Sequence, residues 1–238
     1  CVVEVTEGLD GLCNRTVAED FLSGSYRLSC QAVVEDADRN VEFSLLTRSP
    51  KILTSGERKD IPLNPVVTHR DGRVYYDGED IDRFRGHLYG LALDVGTTTV
   101  VGDLVDLESG ESMYLISFEN PQRFGGSDVM HRISYDGGVF EGELHNALIN
   151  TLNEEIRIMC EAIQISRHEI YELVVVGNAT MRDLFLNLNV QTIGQMPYKS
   201  QSELDMLEGS RSGTAVTQLS RKLRLRANKN ARVYAGPL

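Results

Sequence analysis

The sequence has 238 residues, of which 41% are hydrophobic and 25% are charged, as in ordinary folded domains. This length allows one large domain or two smaller ones. The formal net charge is -11, which argues against nonspecific binding to nucleic acid or to anionic membranes, because both require clustered Lys and Arg. The one basic segment, RKLRLRANKNAR at 221–232, alternates charged residues with leucines, which predicts a half-exposed strand at least as well as a binding patch.

Membrane and secretory signals are missing from the sequence. No apolar run approaches the roughly 18 residues that would indicate a membrane span, and no basic start leads into the apolar stretch of a signal peptide. We therefore expect a cytoplasmic protein without a membrane or nucleic-acid partner. Because the chain begins with Cys1 and ends just after the apolar run RVYA, we also expect it to be part of a longer protein.

Residues 1–38 are predicted to form a small β/α unit. The alternating run CVVEV predicts a strand. It is followed by the helix-like VAEDFL and, after RLSCQ, by a further strand. Three acidic residues of this unit are expected to contribute only to an acidic surface: Asp10, Glu19 and Asp20.

The four cysteines (Cys1, Cys13, Cys30 and Cys160) form no CxxC pair and no zinc-ligand spacing. Cys160 lies at helical spacing with Leu152 and Ile156 and is predicted to be a buried apolar residue. Cys13 lies in a loop and is interpreted as a surface or partly buried thiol.

Cys1 and Cys30 are candidate metal ligands. Plant-type [2Fe–2S] ferredoxins use three closely spaced cysteines and a distant fourth, and thiolates are soft donors that suit iron. The order of a strand, a short helix and RLSCQ resembles the C-terminal half of such a ferredoxin. The resemblance implies that Cys1 is the third ligand and Cys30 the fourth. The alternative is two unrelated cysteines near a small β unit, and two thiolates alone could not hold a cluster.

Residues 39–89 contain prolines, charges and short apolar pairs. This irregular pattern predicts a linker, which could contain a short strand or helix, rather than an independent core.

Residues 90–238 show a regular pattern of strands and helices in the order βββ-α-α-β-α-β. This order predicts an α/β domain whose sheet starts with an antiparallel hairpin. The predicted strands are LYGLALDVG, TTTVVGDLVDL, ESMYLISFEN, 173–176 and 230–236, and the predicted helices are 127–134, 141–166 and 181–189.

The first predicted hairpin turns through a glycine and three threonines, here named the threonine turn (residues 96–99). Successive backbone N–H groups in a tight turn form a site for an anion, and Gly96 allows a ligand to approach closely. Thr97, Thr98 and Thr99 add hydroxyl groups while keeping β-propensity. Asp94 would repel a bare phosphate, so its presence favours an Mg²⁺ ion between carboxylate and phosphate. The alternative is that one strand ends and the next begins here.

Two other loops have both a functional and a structural interpretation. In ENPQRFGGSD, Asp128 either faces a ligand cleft or begins a helix, where its charge is favourable. Gly177 and Asn178 follow a buried strand, where ligand loops of α/β sheets usually lie. Asn178 could equally well cap the next helix.

Three motifs carry a family resemblance. LALDVGTTTVVGDLVDLESGE is similar to the first phosphate motif of the acetate-kinase, sugar-kinase, Hsp70 and actin superfamily. FENPQRFGGSDVMHRISY and VVVGNATMRDLFLNL resemble the ATP-dependent reductive activators of corrinoid proteins. This resemblance implies three regions. Residues 1–38 would be the end of a [2Fe–2S] β-grasp ferredoxin-like unit, 39–89 a linker, and 90–238 the first lobe of an actin-like (ASKHA, ribonuclease H-like) ATPase domain.

The resemblance also implies an activity and its partners. The family reduces a Co(II) corrinoid on a methyl-transfer protein to Co(I), using a [2Fe–2S] cluster, ATP and Mg²⁺, and an external low-potential electron donor. Asp94 would be the catalytic and Mg²⁺-binding residue. The residues expected to bind the nucleotide are Gly96, Thr97, Thr98, Thr99, Gly177 and Asn178. The oligomeric state stays open, with a homodimer as one option.

Two other functions stay open: a small-molecule kinase of the same superfamily and a non-catalytic docking module. The chain has neither the first two cluster cysteines nor the second phosphate motif of the family. We therefore expect this chain alone to show no cluster absorbance and no appreciable ATPase activity.

Overall fold

The computed structural model describes residues 2–20, 22–29, 31–45 and 63–237. The first described unit is a three-stranded antiparallel sheet in the order β2-β1-β3. Its strands are β1 (Val2–Glu7), β2 (Tyr26–Leu28) and β3 (Glu42–Leu45). Val3 and Val5 are buried on one face of β1, as the alternating pattern predicts. Cys1 and Cys30 lie outside the described residues.

A second antiparallel sheet, in the order β4-β5-β6, occupies part of the region predicted to be a linker. Its strands are β4 (Val67–Arg70), β5 (Arg73–Tyr76) and β6 (Glu79–Arg83). Each connecting turn is an Asp-Gly pair with positive φ at both residues, which is the strongest short signal for a hairpin. The structure thus has three paired strands where the sequence pattern predicted a linker.

The second sheet packs on the remainder of the chain. Val67, Val74 and Ile81 form a small core with Leu88 and Tyr171. Hydrogen bonds add to this apolar contact.

Two asparagines supply the hydrogen bonds. Asn228 Nδ2 donates to Asp82 Oδ2 at 2.6 Å, and Asn230 Nδ2 donates to the Ile81 carbonyl at 2.6 Å. The second sheet is thus packed against the domain that follows it and is not a flexible linker.

The largest sheet has six strands in the order β11-β12-β10-β7-β8-β9. These strands are β7 (Tyr89–Val95), β8 (Thr99–Asp106), β9 (Ser112–Glu119), β10 (Ile170–Val176), β11 (Val216–Leu219) and β12 (Arg232–Ala235). The pairs β7-β8 and β8-β9 are antiparallel, whereas β10 is parallel to both β7 and β12. The carboxyl ends of β7, β9, β10 and β12 therefore lie at the same edge of the sheet.

Five helices accompany this sheet: α1 (Val129–Asp136), α2 (Glu143–Ala162), α3 (Ala179–Phe185), α4 (Gln191–Gly194) and α5 (Gln201–Leu207). The predicted helix 141–166 is confirmed as α2. Its apolar face is buried in the core through Leu144, Leu148, Leu152, Ile156 and Met159. No helix in the described ranges has the length and apolarity needed to cross a membrane.

The predicted strand at 221–232 is wrong over most of its length. Leu223 and Leu225 are both buried, but the chain turns between them with a positive φ at Arg224. Two leucines at alternate positions can be buried by a turn as well as by a strand. The sequence also failed to predict β11, α4 and α5, which are short elements with weak periodicity.

The first unit lies beside the carboxyl edge of the large sheet. Val2 packs against the main core. A cavity of about 440 Å³ separates residues of this unit from the loop that follows β9 and from α1. The residues that line it are Val2, Leu22, Ser23, Tyr26, Arg123, Phe124, Gly125, Gly126, Ser127, His131, Ser134 and Tyr135.

Candidate functional site

The threonine turn joins β7 to β8 at the carboxyl edge of the large sheet. Its four carbonyl groups all accept hydrogen bonds from the protein. The Gly96 amide donates to Thr99 O at 3.0 Å, and Asn120 donates to Gly96 O through Nδ2 and to Thr98 O through its amide, both at 2.8 Å. Arg132 Nη2 donates to Thr97 O at 2.6 Å. These bonds fix the orientation of the turn.

The amides of the two central residues are available. Among the described residues, the N–H groups of Thr97 and Thr98 have no acceptor, and Thr98 is exposed. Since the carbonyls point toward the protein, these amides form a concave donor site of the kind that binds anions. The Gly96 amide, in contrast, is used inside the turn and is not a free donor.

Glycine is required at two of the predicted positions because the backbone is close there. A Cβ on Gly96 would lie 2.6 Å from Thr99 O, and a Cβ on Gly177 would lie 2.8 Å from Val95 O. The turn after β10 therefore lies against the end of β7.

Asn178 connects the two turns. Its Oδ1 accepts from the amide of Met181 at 3.0 Å and so caps α3. Its Nδ2 donates to Thr97 Oγ1 at 3.3 Å. Asn178 thus caps α3 and also contacts the threonine turn. Because the Thr97 hydroxyl accepts this hydrogen bond, its own proton is available to a ligand.

Asp94 is exposed at the end of β7, and in the pairing register it stands opposite Val176 of β10. Its carboxylate is therefore at the same edge as the threonine turn, Gly177 and Asn178. A solvated carboxylate beside a phosphate site suits Mg²⁺, which keeps several of its waters. The fold thus brings all the candidate nucleotide residues to one edge of the sheet.

Asp128 begins α1, as its structural interpretation predicted. Its Oδ1 accepts from the His131 amide at 3.0 Å, and its Oδ2 lies 2.7 Å from His131 Nδ1. These hydrogen bonds, first of all the one from the His131 amide, lower the pKa of the Asp128 carboxyl.

Sequence reasoning placed Asn120 in a loop that either lines the cleft or connects a strand to a helix, but it did not predict that Asn120 holds the threonine turn, and it gave Arg132 no role. Asn120 and Arg132 are both completely buried. Asn120 follows β9 directly and begins the short helical turn Pro121–Gly125, whose Gln122 in turn bonds to Leu144 O of α2. An asparagine before proline and an arginine on the apolar side of a short helix were the only local signals.

The remaining cysteines show no metal site. Cys160 is buried, as predicted, and Cys13 is half-buried and free. In the described ranges, no group of three or more His, Cys, Asp or Glu residues could hold a metal ion.

Comparison with known proteins places this site in a family. The model of the RACo middle region matches residues 89–238, a range that contains the threonine turn and both of its buried partners. The chain belongs to the RACo family. Its RACo middle region thus comprises the large sheet and the five helices.

Two curated relatives share part of this sequence. The chain is 41% identical over 113 residues to the corrinoid activation enzyme RamQ of Eubacterium limosum. It is 29% identical over 121 residues to the [Co(II) methylated amine-specific corrinoid protein] reductase of Methanosarcina barkeri. These matches cover 47% and 50% of this chain but only 19% and 21% of the relatives.

A solved structure shares the fold. The whole chain superposes on 48% of a reductive activator for corrinoid, iron–sulfur protein, with a TM-score of 0.64 and 23% identity. The mixed α/β fold with its large sheet is therefore that of a reductive activator, and this chain spans about half the length of that protein.

Proposed function

We propose that the full-length protein is an ATP-dependent reductive activator that returns Co(II) corrinoid proteins to the Co(I) state. The names of both curated relatives, a corrinoid activation enzyme and a Co(II) corrinoid protein reductase, support this class of substrate. An external low-potential donor would supply one electron, and a corrinoid-binding methyl-transfer protein would accept it. Cobalt gains this electron as Co(II) becomes Co(I).

The main support for ATP binding is the pair of backbone amides at Thr97 and Thr98, which have no acceptor among the described residues. The four bonded carbonyls hold these N–H groups toward solvent, where they can bind the oxygens of a nucleotide phosphate. In this proposal Asp94 holds Mg²⁺ through its exposed carboxylate, and Gly177 and Asn178 line the opposite side of the site. The antiparallel strands β7-β8-β9, followed by the parallel β10 and β12, support an actin-like first lobe.

The proposal for the iron–sulfur cluster rests on Cys1 and Cys30. In this proposal they are two ligands of one cluster, which would also need cysteines from outside this chain. When bound, a [2Fe–2S] cluster supplies one-electron chemistry through thiolate-held iron.

The decisive experiment follows Co(II) in the full-length protein mixed with a corrinoid protein and a chemical reductant. Co(II) has an unpaired electron and gives an electron paramagnetic resonance signal, which is lost on reduction to Co(I). We expect the signal to decay only when ATP and Mg²⁺ are both present. In Asp94→Asn the decay should be at least about tenfold slower, because the Mg²⁺ ligand is lost.

The matched control is Asp77→Asn, an exposed aspartate in the β5-β6 turn at a distance from the threonine turn. It should reduce cobalt at the wild-type rate. Phosphate transfer to a small molecule without any change at cobalt would contradict the proposal and favour a kinase. Cobalt reduction that does not depend on ATP would contradict the nucleotide role.

A further inference from the structure

Arg132 differs from the other buried arginines of the described chain. Three arginines are buried there: Arg27, Arg132 and Arg182. Arg27 pairs with Glu19 at 2.7 Å, and Arg182 pairs with Asp183 at 2.7 Å. Within the described ranges, Arg132 has no carboxylate at ion-pair distance, although its side chain is completely buried.

The Arg132 guanidinium bonds only to neutral acceptors. Besides Thr97 O, it donates from Nε to Gly126 O at 3.0 Å. Its Nη1 lies 3.2 Å from Met181 Sδ and 3.5 Å from Gln122 Oε1. Each nitrogen of the guanidinium therefore has an acceptor, but none of these acceptors carries a negative charge.

A buried charge without a counterion is costly. Burial lowers the pKa of Arg132 to about 10, so the side chain is still protonated at neutral pH. The charged guanidinium thus lies directly behind the threonine turn, where the Asp128 carboxylate attracts it only from beyond ion-pair distance. Burying this charge destabilises the folded protein. An anion bound on the other side of the turn would compensate the charge and offset that cost.

We propose that Arg132 is a positioning residue for the phosphates of the nucleotide. Its bond to Thr97 O holds the amides of Thr97 and Thr98 toward the ligand, and its charge is neutralised when phosphate binds. This inference rests on the proposed function, since it assigns a residue to the same nucleotide site.

The bond to Gly126 fixes the other side of the guanidinium. Gly126 has a φ of 141°, a conformation that favours glycine, and a Cβ there would collide with the side chain of His131. The backbone of this loop is therefore held close to α1, with its carbonyl directed at Arg132. The guanidinium is thereby kept in one orientation before the nucleotide arrives.

The test compares ATP and adenosine binding by the full-length protein with those of Arg132→Met and Arg132→Lys. Methionine removes the charge, so we expect ATP to bind roughly 30-fold more weakly, as for the loss of a hydrogen bond to a charged group, with adenosine binding unchanged. Lysine keeps the charge but cannot donate to both carbonyls in the same geometry, so its ATP affinity should be intermediate. Arg157→Met, which removes a partly exposed arginine of α2, is the control and should bind ATP normally.

The ratio of ATP to adenosine affinity separates positioning from mere stability. If ATP and adenosine weaken together, or if Arg132→Met binds ATP as tightly as the wild type, the inference is overturned. If Arg132→Met does not fold, Arg132→Lys decides: an unchanged ratio overturns the inference and a lowered ratio supports it. If the wild type itself binds no ATP, the proposed function fails, and this outcome is distinct from the others.

Discussion

At the residue scale, the first unit contains a buried ion pair that its sequence does not reveal. Glu19 was expected to contribute only to an acidic surface, and this prediction is wrong. Its side chain is completely buried and accepts from Arg27 Nε at 2.7 Å and from the Leu28 amide at 2.9 Å. The hydrogen bond from Arg27 is the largest of the causes that lower the pKa of Glu19 to about 2.

This pair predicts a specific dependence of stability on pH. Because the folded pKa of Glu19 is depressed below 4.5, its contribution is complete above pH 4.5 and is lost as the pH falls toward 2. This difference between the folded and unfolded pKa of Glu19 corresponds to roughly 3 kcal/mol of unfolding free energy. We expect Glu19→Gln to lose about this amount at pH 6 and less than half of it at pH 3.

Urea unfolding followed by circular dichroism at both pH values measures this difference. Glu7→Gln, at an exposed position of β1, is the control and should match the wild type within about 0.5 kcal/mol. A deficit for Glu19→Gln that is equally large at pH 3 and pH 6 would contradict the depressed pKa.

At the element scale, α2 supports the site from behind. It buries Leu148 and Leu152 completely, and its Leu144 carbonyl accepts the hydrogen bond of Gln122 that holds the loop after β9. Packing of one apolar face is the main source of stability for a helix of this kind.

Truncating this face should cost stability. We expect Leu152→Ala to lower the unfolding free energy by about 2–5 kcal/mol, because it leaves a cavity in the core. Ile158→Ala on the same helix is the control: Ile158 is 41% exposed, so the loss should stay below about 1 kcal/mol. Equal losses for the two variants in urea unfolding would show that α2 is not packed as described.

The long, periodic elements could be predicted from the sequence, and the short ones could not. The hairpin β7-β8, the strand β9 and the helix α2 have clear periods of 2 or 3.6 residues. The sheet β4-β6 was missed although its two Asp-Gly turns were visible. The four-residue α4 and β11 give almost no periodic signal, because their position depends on tertiary contacts.

The same limit applies to the candidate site. The threonine turn is local, so its residue types alone suggested a phosphate site. Asn120 and Arg132 reach this turn from 24 and 35 residues away in the sequence. Contacts between residues so far apart in the sequence depend on the fold, and no local sequence pattern predicts them.

At the scale of the whole molecule, the units occupy opposite edges of the large sheet. The sheet β4-β6 contacts Tyr171 at the start of β10 and Asn228 before β12, at the amino ends of these strands. The first unit contacts the loop after β9 at the carboxyl edge, where the threonine turn lies. The first unit therefore lies on the same side of the sheet as the threonine turn.

The most direct test measures hydrogen exchange at individual amides of the full-length protein, with and without Mg²⁺ and a non-hydrolysable ATP analogue. If Thr97 and Thr98 bind the phosphates, their amides should exchange at least about tenfold more slowly in the complex. The amides of the β8-β9 turn, at the opposite edge, should not change. Bound nucleotide with unchanged exchange at Thr97 and Thr98 would contradict the account.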